Sequence, residues 1–132
     1  MFTCVILFIN LFVAVSGLFI YRERIPNGDS VPNPCGTGGI WNGVGHYNQN
    51  GGGTLNPFGL EFSQNYHMWT IALCNADSDG DGKTNGEELG DPFCDWTQGV
   101  NINHLKDTTG HPGICEPIGS PLCATQEGKF SC

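Results

Sequence analysis

The densest chemistry in the chain runs from Asp77 to Glu88, in the order Asp77-Ser78-Asp79-Gly80-Asp81-Gly82-Lys83-Thr84-Asn85-Gly86-Glu87-Glu88. With Asp77 as position 1, Asp79 falls at 3, Asp81 at 5, Gly82 at 6, Lys83 at 7, Asn85 at 9 and Glu88 at 12. That is the ligand spacing of an EF-hand-type calcium loop. A hard Ca²⁺ ion takes six to eight oxygens. Here the alternating carboxylates, the Lys83 backbone carbonyl, Asn85 and a bidentate Glu88 are the expected donors, and Gly82 permits the sharp turn between the two halves. Mg²⁺ suits the pattern less well, because it tolerates crowded protein ligation poorly. Seven of the 13 acids lie between Asp77 and Asp95, opposed only by Lys83. A single structural Ca²⁺ of extracellular type is expected, with Kd of roughly 10⁻⁴–10⁻³ M.

The loop departs from the calmodulin pattern. Thr84 holds position 8 in place of an aliphatic residue, and Gly90 and Pro92 stop any long helix after Glu88. The run Asp-x-Asp-x-Asp-Gly from Asp77, followed by Asn-Gly-Glu-Glu-Leu-Gly-Asp-Pro from Asn85, resembles the single loops of extracellular calcium repeats such as the thrombospondin type 3 repeat. Cys74 and Cys94 bracket it, and a disulfide between them would lower the ordering cost of binding an ion.

Four histidines, His46, His67, His104 and His111, are the other candidates for chemistry. None sits in a His-x-x-x-His pair, a nucleophile elbow or a Cys–His motif. A copper-dependent enzyme would need at least two of them to converge. The carboxylates are concentrated in the loop as ligands, not spread as an acid and base pair. The sequence therefore predicts a protein that is not an enzyme.

The elements that must position the loop are few. Asn56 suits a helix N-cap and Pro57 a first helical position. Apolar residues then recur at Phe58, Phe62, Tyr66, Trp69 and Leu73, one face of a 3.6-residue period, so one main helix with a buried stripe is predicted. Gly59 weakens its first turn. Residues 26–53 read as turns, rich in Gly and Pro, with no phosphate-binding loop. A short strand is expected over Val100–Leu105. Trp41, Tyr47 and Trp96 serve either a small core or a partner surface. The fold class that follows is a small, disulfide-stapled, loop-rich α+β single domain with one main helix and an EF-hand-like calcium loop.

The chain has 132 residues, with 20 glycines and a formal net charge of −8. That charge argues against nucleic acid and anionic membrane as partners, since both attract basic patches. Val5–Val15 is apolar apart from Asn10, and Ala14-Val15-Ser16-Gly17 offers a cleavage site. Residues 1–17 are expected to be a signal peptide and 18–132 the exported domain, secreted and without membrane insertion after cleavage. Removal of Cys4 leaves Cys35, Cys74, Cys94, Cys115, Cys123 and Cys132, an even set suited to three disulfides in an oxidising compartment. Six cysteines allow 15 connectivities.

Longer motifs now stand in order: Ile25-Pro26-Asn27-Gly28-Asp29, Val31-Pro32, Pro34-Cys35, Trp41, Gly43-Val44-Gly45-His46, Gly51-Gly52-Gly53 and Asn56-Pro57-Phe58-Gly59-Leu60. Trp69-Thr70, Leu73-Cys74, Asp77 to Gly82, Asn85-Gly86, Glu88-Leu89-Gly90-Asp91-Pro92, Cys94, Trp96, His111-Pro112-Gly113 and Cys115-Glu116-Pro117 follow. In these the chain resembles the temptin-like family of secreted, water-borne pheromone proteins. The resemblance implies a disulfide-bonded signalling protein that contacts other secreted proteins or a cell-surface receptor. It also implies a likeness to the calcium-binding epidermal-growth-factor-like domains of fibrillin. The family's pairing implies Cys74–Cys94 and a bond from Cys35 to a C-terminal cysteine, taken as Cys115, with Cys123–Cys132 as the remaining pair; Cys35–Cys123 is the alternative. A calcium-binding matrix or shell-associated module would show the same export signal, disulfides and acidic loop, and is the alternative function.

Overall fold

The computed structural model describes residues 20–132. The predicted signal peptide, residues 1–17, lies outside the described residues. Helix α1 spans Pro57–Gln64, α2 Ile71–Asn75 and α3 Asn85–Leu89, and a 3-10 helix η1 spans Pro121–Gln126. Among the described residues no strand forms. Two isolated antiparallel bridges, Pro32 with Ile40 and His46 with Leu55, are the β-type pairings outside strands. The β part of the predicted α+β class is thus corrected: Val100–Leu105 is largely exposed, irregular backbone. A run of residues with no neighbouring strand to pair with has no ladder to join.

Helix α1 starts as its sequence demands. The Asn56 side chain accepts from Gly59 N at 2.9 Å, and Pro57 opens the first turn. Asn56 does more than cap. Its Nδ2 donates to the carbonyls of Val44 (2.8 Å) and His46 (3.1 Å), so one buried amide clasps the glycine turn to the helix. Gly59 is there for close approach: a Cβ on it would strike the carbonyl of Gly45.

The single long stripe breaks after two turns. Phe58 and Phe62 are buried, but Tyr66 is 82% exposed and both Tyr66 and His67 adopt left-handed backbone, φ 57° and 54°. The chain then re-enters helix at α2, capped by Thr70, whose side chain accepts from Leu73 N at 3.1 Å. The cause is local chemistry. The Asn65 side chain donates to Glu61 O (2.8 Å) and accepts from Thr70 Oγ1 (2.7 Å), closing α1 and fixing the start of α2 around a reversal. Leu73 and Trp69 still reach the core by this route.

The core has two parts. One gathers Ile25, Val31, Val44, Phe58, Phe62, Leu73 and Leu89. The other joins Trp41, Tyr47 and Ile114, with Phe130 stacked on Tyr47 at a centroid distance of 6.0 Å. Trp41 and Tyr47 are therefore small-core residues, and Trp96 is half-buried.

Three disulfides hold these parts together: Cys74–Cys94, Cys35–Cys132 and Cys115–Cys123. The pairings Cys35–Cys115 and Cys123–Cys132 are corrected, and the alternative Cys35–Cys123 with them. Cys115 and Cys123 are both buried, and Gln126 fixes Cys115 from both sides, accepting from its N–H (2.8 Å) and donating to its C=O (2.6 Å). With η1 folded back in this way, Cys123 faces Cys115. The tail beyond it follows Phe130 to the Trp41–Tyr47 cluster, which brings Cys132 to Cys35.

Candidate metal centre

Both ends of the Asp77–Glu88 loop are anchored before any ion is considered. Asn85 N–H donates to Ala76 O at 2.7 Å, and Asn85 Nδ2 donates to Leu73 O (2.7 Å) and Ser78 Oγ (2.8 Å). Ser78 Oγ in turn donates to Glu61 Oε2 at 2.7 Å, which ties the loop to α1. Thr84, the residue that departs from the calmodulin pattern, earns its place as the N-cap of α3. It forms a capping box with Glu87, whose carboxylate accepts from Thr84 N at 2.8 Å. Gly90, with φ 82°, ends α3 after five residues, as the Gly90–Pro92 pattern implies.

Within the loop each aspartate uses backbone N–H groups to hold its carboxylate. Asp77 accepts from Gly80 (2.9 Å), Asp81 (3.2 Å) and Gly82 (2.9 Å). Asp79 Oδ1 accepts from Asp81 N at 3.2 Å and Asp81 Oδ1 from Lys83 N at 3.0 Å. Asp77, Asp79 and Asp81 thereby bring oxygens within 4.8 Å of one another. The second oxygens of Asp79 and Asp81 are buried with no hydrogen-bond partner.

Glu88 stands outside that tight trio but feels its charge. It is 1% exposed, and neither carboxylate oxygen has a hydrogen-bond partner. Burial, then the charges of Asp79, Asp81 and Glu116, push its pKa up to about 9. Burial and Asp81 likewise push Asp79 up to about 8. Asp91, three residues from Glu88 and equally buried, is the instructive contrast. Its oxygens accept from Trp69 Nε1 (2.8 Å) and from the N–H groups of Asp95 (3.1 Å) and Trp96 (3.3 Å). The fold satisfies one buried acid fully and leaves the other bare, an arrangement that costs stability unless a cation completes it.

Of the six expected ligands, the structure groups Asp77, Asp79 and Asp81; Glu88 lies outside that group but within reach of the charges of Asp79, Asp81 and Lys83. Asn85 is placed elsewhere. It is fully buried, and its side chain is spent on Leu73 and Ser78. Sequence reasoning missed Glu116, which joins the same electrostatic neighbourhood from 28 residues beyond Glu88. No local spacing could have shown that; only the return of the His111–Pro112–Gly113 segment brings it there. The inward atoms are all carboxylate oxygens, the donor type that a hard divalent cation prefers.

The histidines lie apart from this centre. His46 and His67 line an apolar cleft of about 110 Å³ between Ile25, Phe58 and Phe62. His104 is exposed and meets Asp95 at 3.0 Å. His111 is fully buried, edge-on to Trp41. Among the described residues, no group of three or more His, Cys, Asp and Glu side chains comes together except the Asp77–Asp79–Asp81 trio.

A small, strand-poor domain held by three disulfides around an acidic loop is the class these features define. Residues 15–114 match the family model described as Temptin C-terminal. Temptin of Aplysia californica is 50% identical over 113 residues, covering 85% of this chain and 90% of that protein. No solved structure gives a significant match. The chain belongs to the temptin family. Among the described residues, no helix is long and apolar enough to cross a membrane.

Proposed function

We propose that this protein is a secreted, temptin-like signalling protein that acts as a component of a water-borne pheromone through contacts with other proteins, with one Ca²⁺ ion fixing its shape. The signalling role rests on the 50% identity to temptin over most of both chains. The ion rests on one observation: a fully buried Glu88 with two unpartnered oxygens, on which the charges of Asp79 and Asp81, each with an unpartnered buried oxygen of its own, act. Its ligands are the carboxylates of Asp77, Asp79, Asp81 and Glu88 and the Lys83 carbonyl, with Asn85 acting as an anchor of the loop. The ion is structural; it would neutralise the cluster and hold α3 against the α1–α2 unit.

Calcium calorimetry on oxidised protein spanning residues 18–132 tests the ion. One Ca²⁺ per chain is expected, with affinity in the range of extracellular modules, about 10⁻⁴–10⁻³ M, and loss of binding in Asp81→Ala. Absence of binding by the wild type at millimolar calcium would refute it. For the signalling role, transcripts are expected in an exocrine reproductive gland. Expression confined to mantle or connective tissue would turn the reading to a matrix module.

A further inference from the structure

Two carboxylates from distant parts of the chain converge on a single peptide unit. Glu88 Oε1 lies so close to Gly110 that a Cβ there would sit 2.6 Å away. The next residue, His111, donates its N–H to Glu116 Oε1 at 2.9 Å. The Glu88 backbone is tied to the same segment, because Thr109 N donates to Glu88 O at 2.8 Å. Glu116 thus faces the loop across the Gly110–His111 bond, and its charge acts on Glu88 while Asp81 and Lys83 act on it.

Position 9 of the loop offers no free side-chain donor, since the Asn85 amide is engaged by Leu73 and Ser78. Resting on the calcium reading above, we propose that Glu116 supplies a further oxygen to the same cation, so that ion binding seats the segment closed by Cys115–Cys123 on the loop. Asp77, Asp79, Asp81, the Lys83 carbonyl and a bidentate Glu88 provide about six oxygens, and one more lies within the usual six to eight. Without the cation, burial and the neighbouring carboxylates favour the protonated forms of Glu88, Asp79 and Glu116, with the charge of Lys83 opposing at Glu88 and Glu116. With it, these carboxylates become shared ligands. The ion would then act as a clasp between the loop and the C-terminal part, in addition to ordering the loop itself.

The test is Glu116→Gln, which removes the charge but keeps an amide oxygen to accept from His111 N–H. Calcium titrations followed by calorimetry and by amide NMR are compared with the wild type and with Glu127→Gln, an exposed acid of the same segment. In the wild type, signals of residues 77–88 and of residues 110–126 are expected to shift together. Glu116→Gln is expected to weaken binding by roughly tenfold or more and to lose the response of residues 110–126 while the loop still responds. Glu127→Gln is expected to behave as the wild type. Equal affinity in Glu116→Gln and the wild type, or a wild-type response confined to the loop, overturns the proposal and leaves the calcium reading standing. No response anywhere in the wild type overturns both.

Discussion

At the scale of single residues, the fold sets buried ionisable groups against one another, and pH reads them out. Asp79 at about 8 and Glu88 at about 9 lie far above the ordinary 3.8 and 4.5 of unfolded chain. Between those limits the ion-free fold retains protons that the unfolded chain has released, so stability falls as pH rises. His111 works in the opposite sense. Burial lowers it to about 3 from an ordinary 6.5, and its contribution is lost progressively as pH falls from 6.5 towards 3. In chelator, the melting temperature is expected to decline from pH 6.5 to 9. Saturating calcium should abolish that decline, because the ion replaces the protons, and uncover the loss below pH 6.5 that His111 sets. An alkaline decline of equal size with and without calcium would count against ligation by Asp79 and Glu88. The grouping of Asp77, Asp79 and Asp81 was legible in the sequence because that turn is local and periodic. The anchoring bonds of Asn85 were not legible, since a buried amide goes to whichever carbonyl the tertiary fold leaves unpaired, here Leu73. Glu116 was invisible for the same reason: the Glu88 carboxylate on which its charge acts is 28 residues away.

At the scale of elements, caps were readable and periodicity was not enough. Asn56-Pro57 marks the start of α1 where the sequence places it. The stripe from Phe58 to Leu73 continues to bury residues after Tyr66 has left it, because two helices separated by a reversal share the same core. Asn65 and Thr70 are the sequence signals of that break, being good capping residues inside an otherwise continuous pattern. Gly59 sharpens the point. On helix propensity alone Gly59→Ala should gain up to about 1 kcal/mol. The new methyl would instead strike the backbone of Gly45, which is fixed through Asn56 and has little room to yield. A net destabilisation of about 1–3 kcal/mol is expected from denaturant midpoints. A rise in midpoint would mean that the turn and helix are not in contact.

At the scale of the whole molecule, stability is distributed between two small cores and three covalent ties. Cys35–Cys132 spans 97 residues and carries the largest constraint on the unfolded chain. Replacing both with serine is expected to cost about 2–5 kcal/mol, measured by thermal or chemical unfolding. Retention of full stability would show that the stacking of Phe130 on Tyr47 suffices to hold the tail. The number of disulfides followed from composition and compartment. The pairing did not, because it depends on Gln126 folding η1 against Cys115, a tertiary event without a periodic signature.

That same long tie has a topological meaning for cleavage of the chain. Residues 35 to 132 form a closed ring, so a single hydrolytic cut anywhere along it opens the ring without releasing a fragment. The exposed, irregular stretch over residues 97–107 is the natural place for such a cut, and damage there would leave both halves tethered and the acidic centre intact. Separation takes a second break or a reductant.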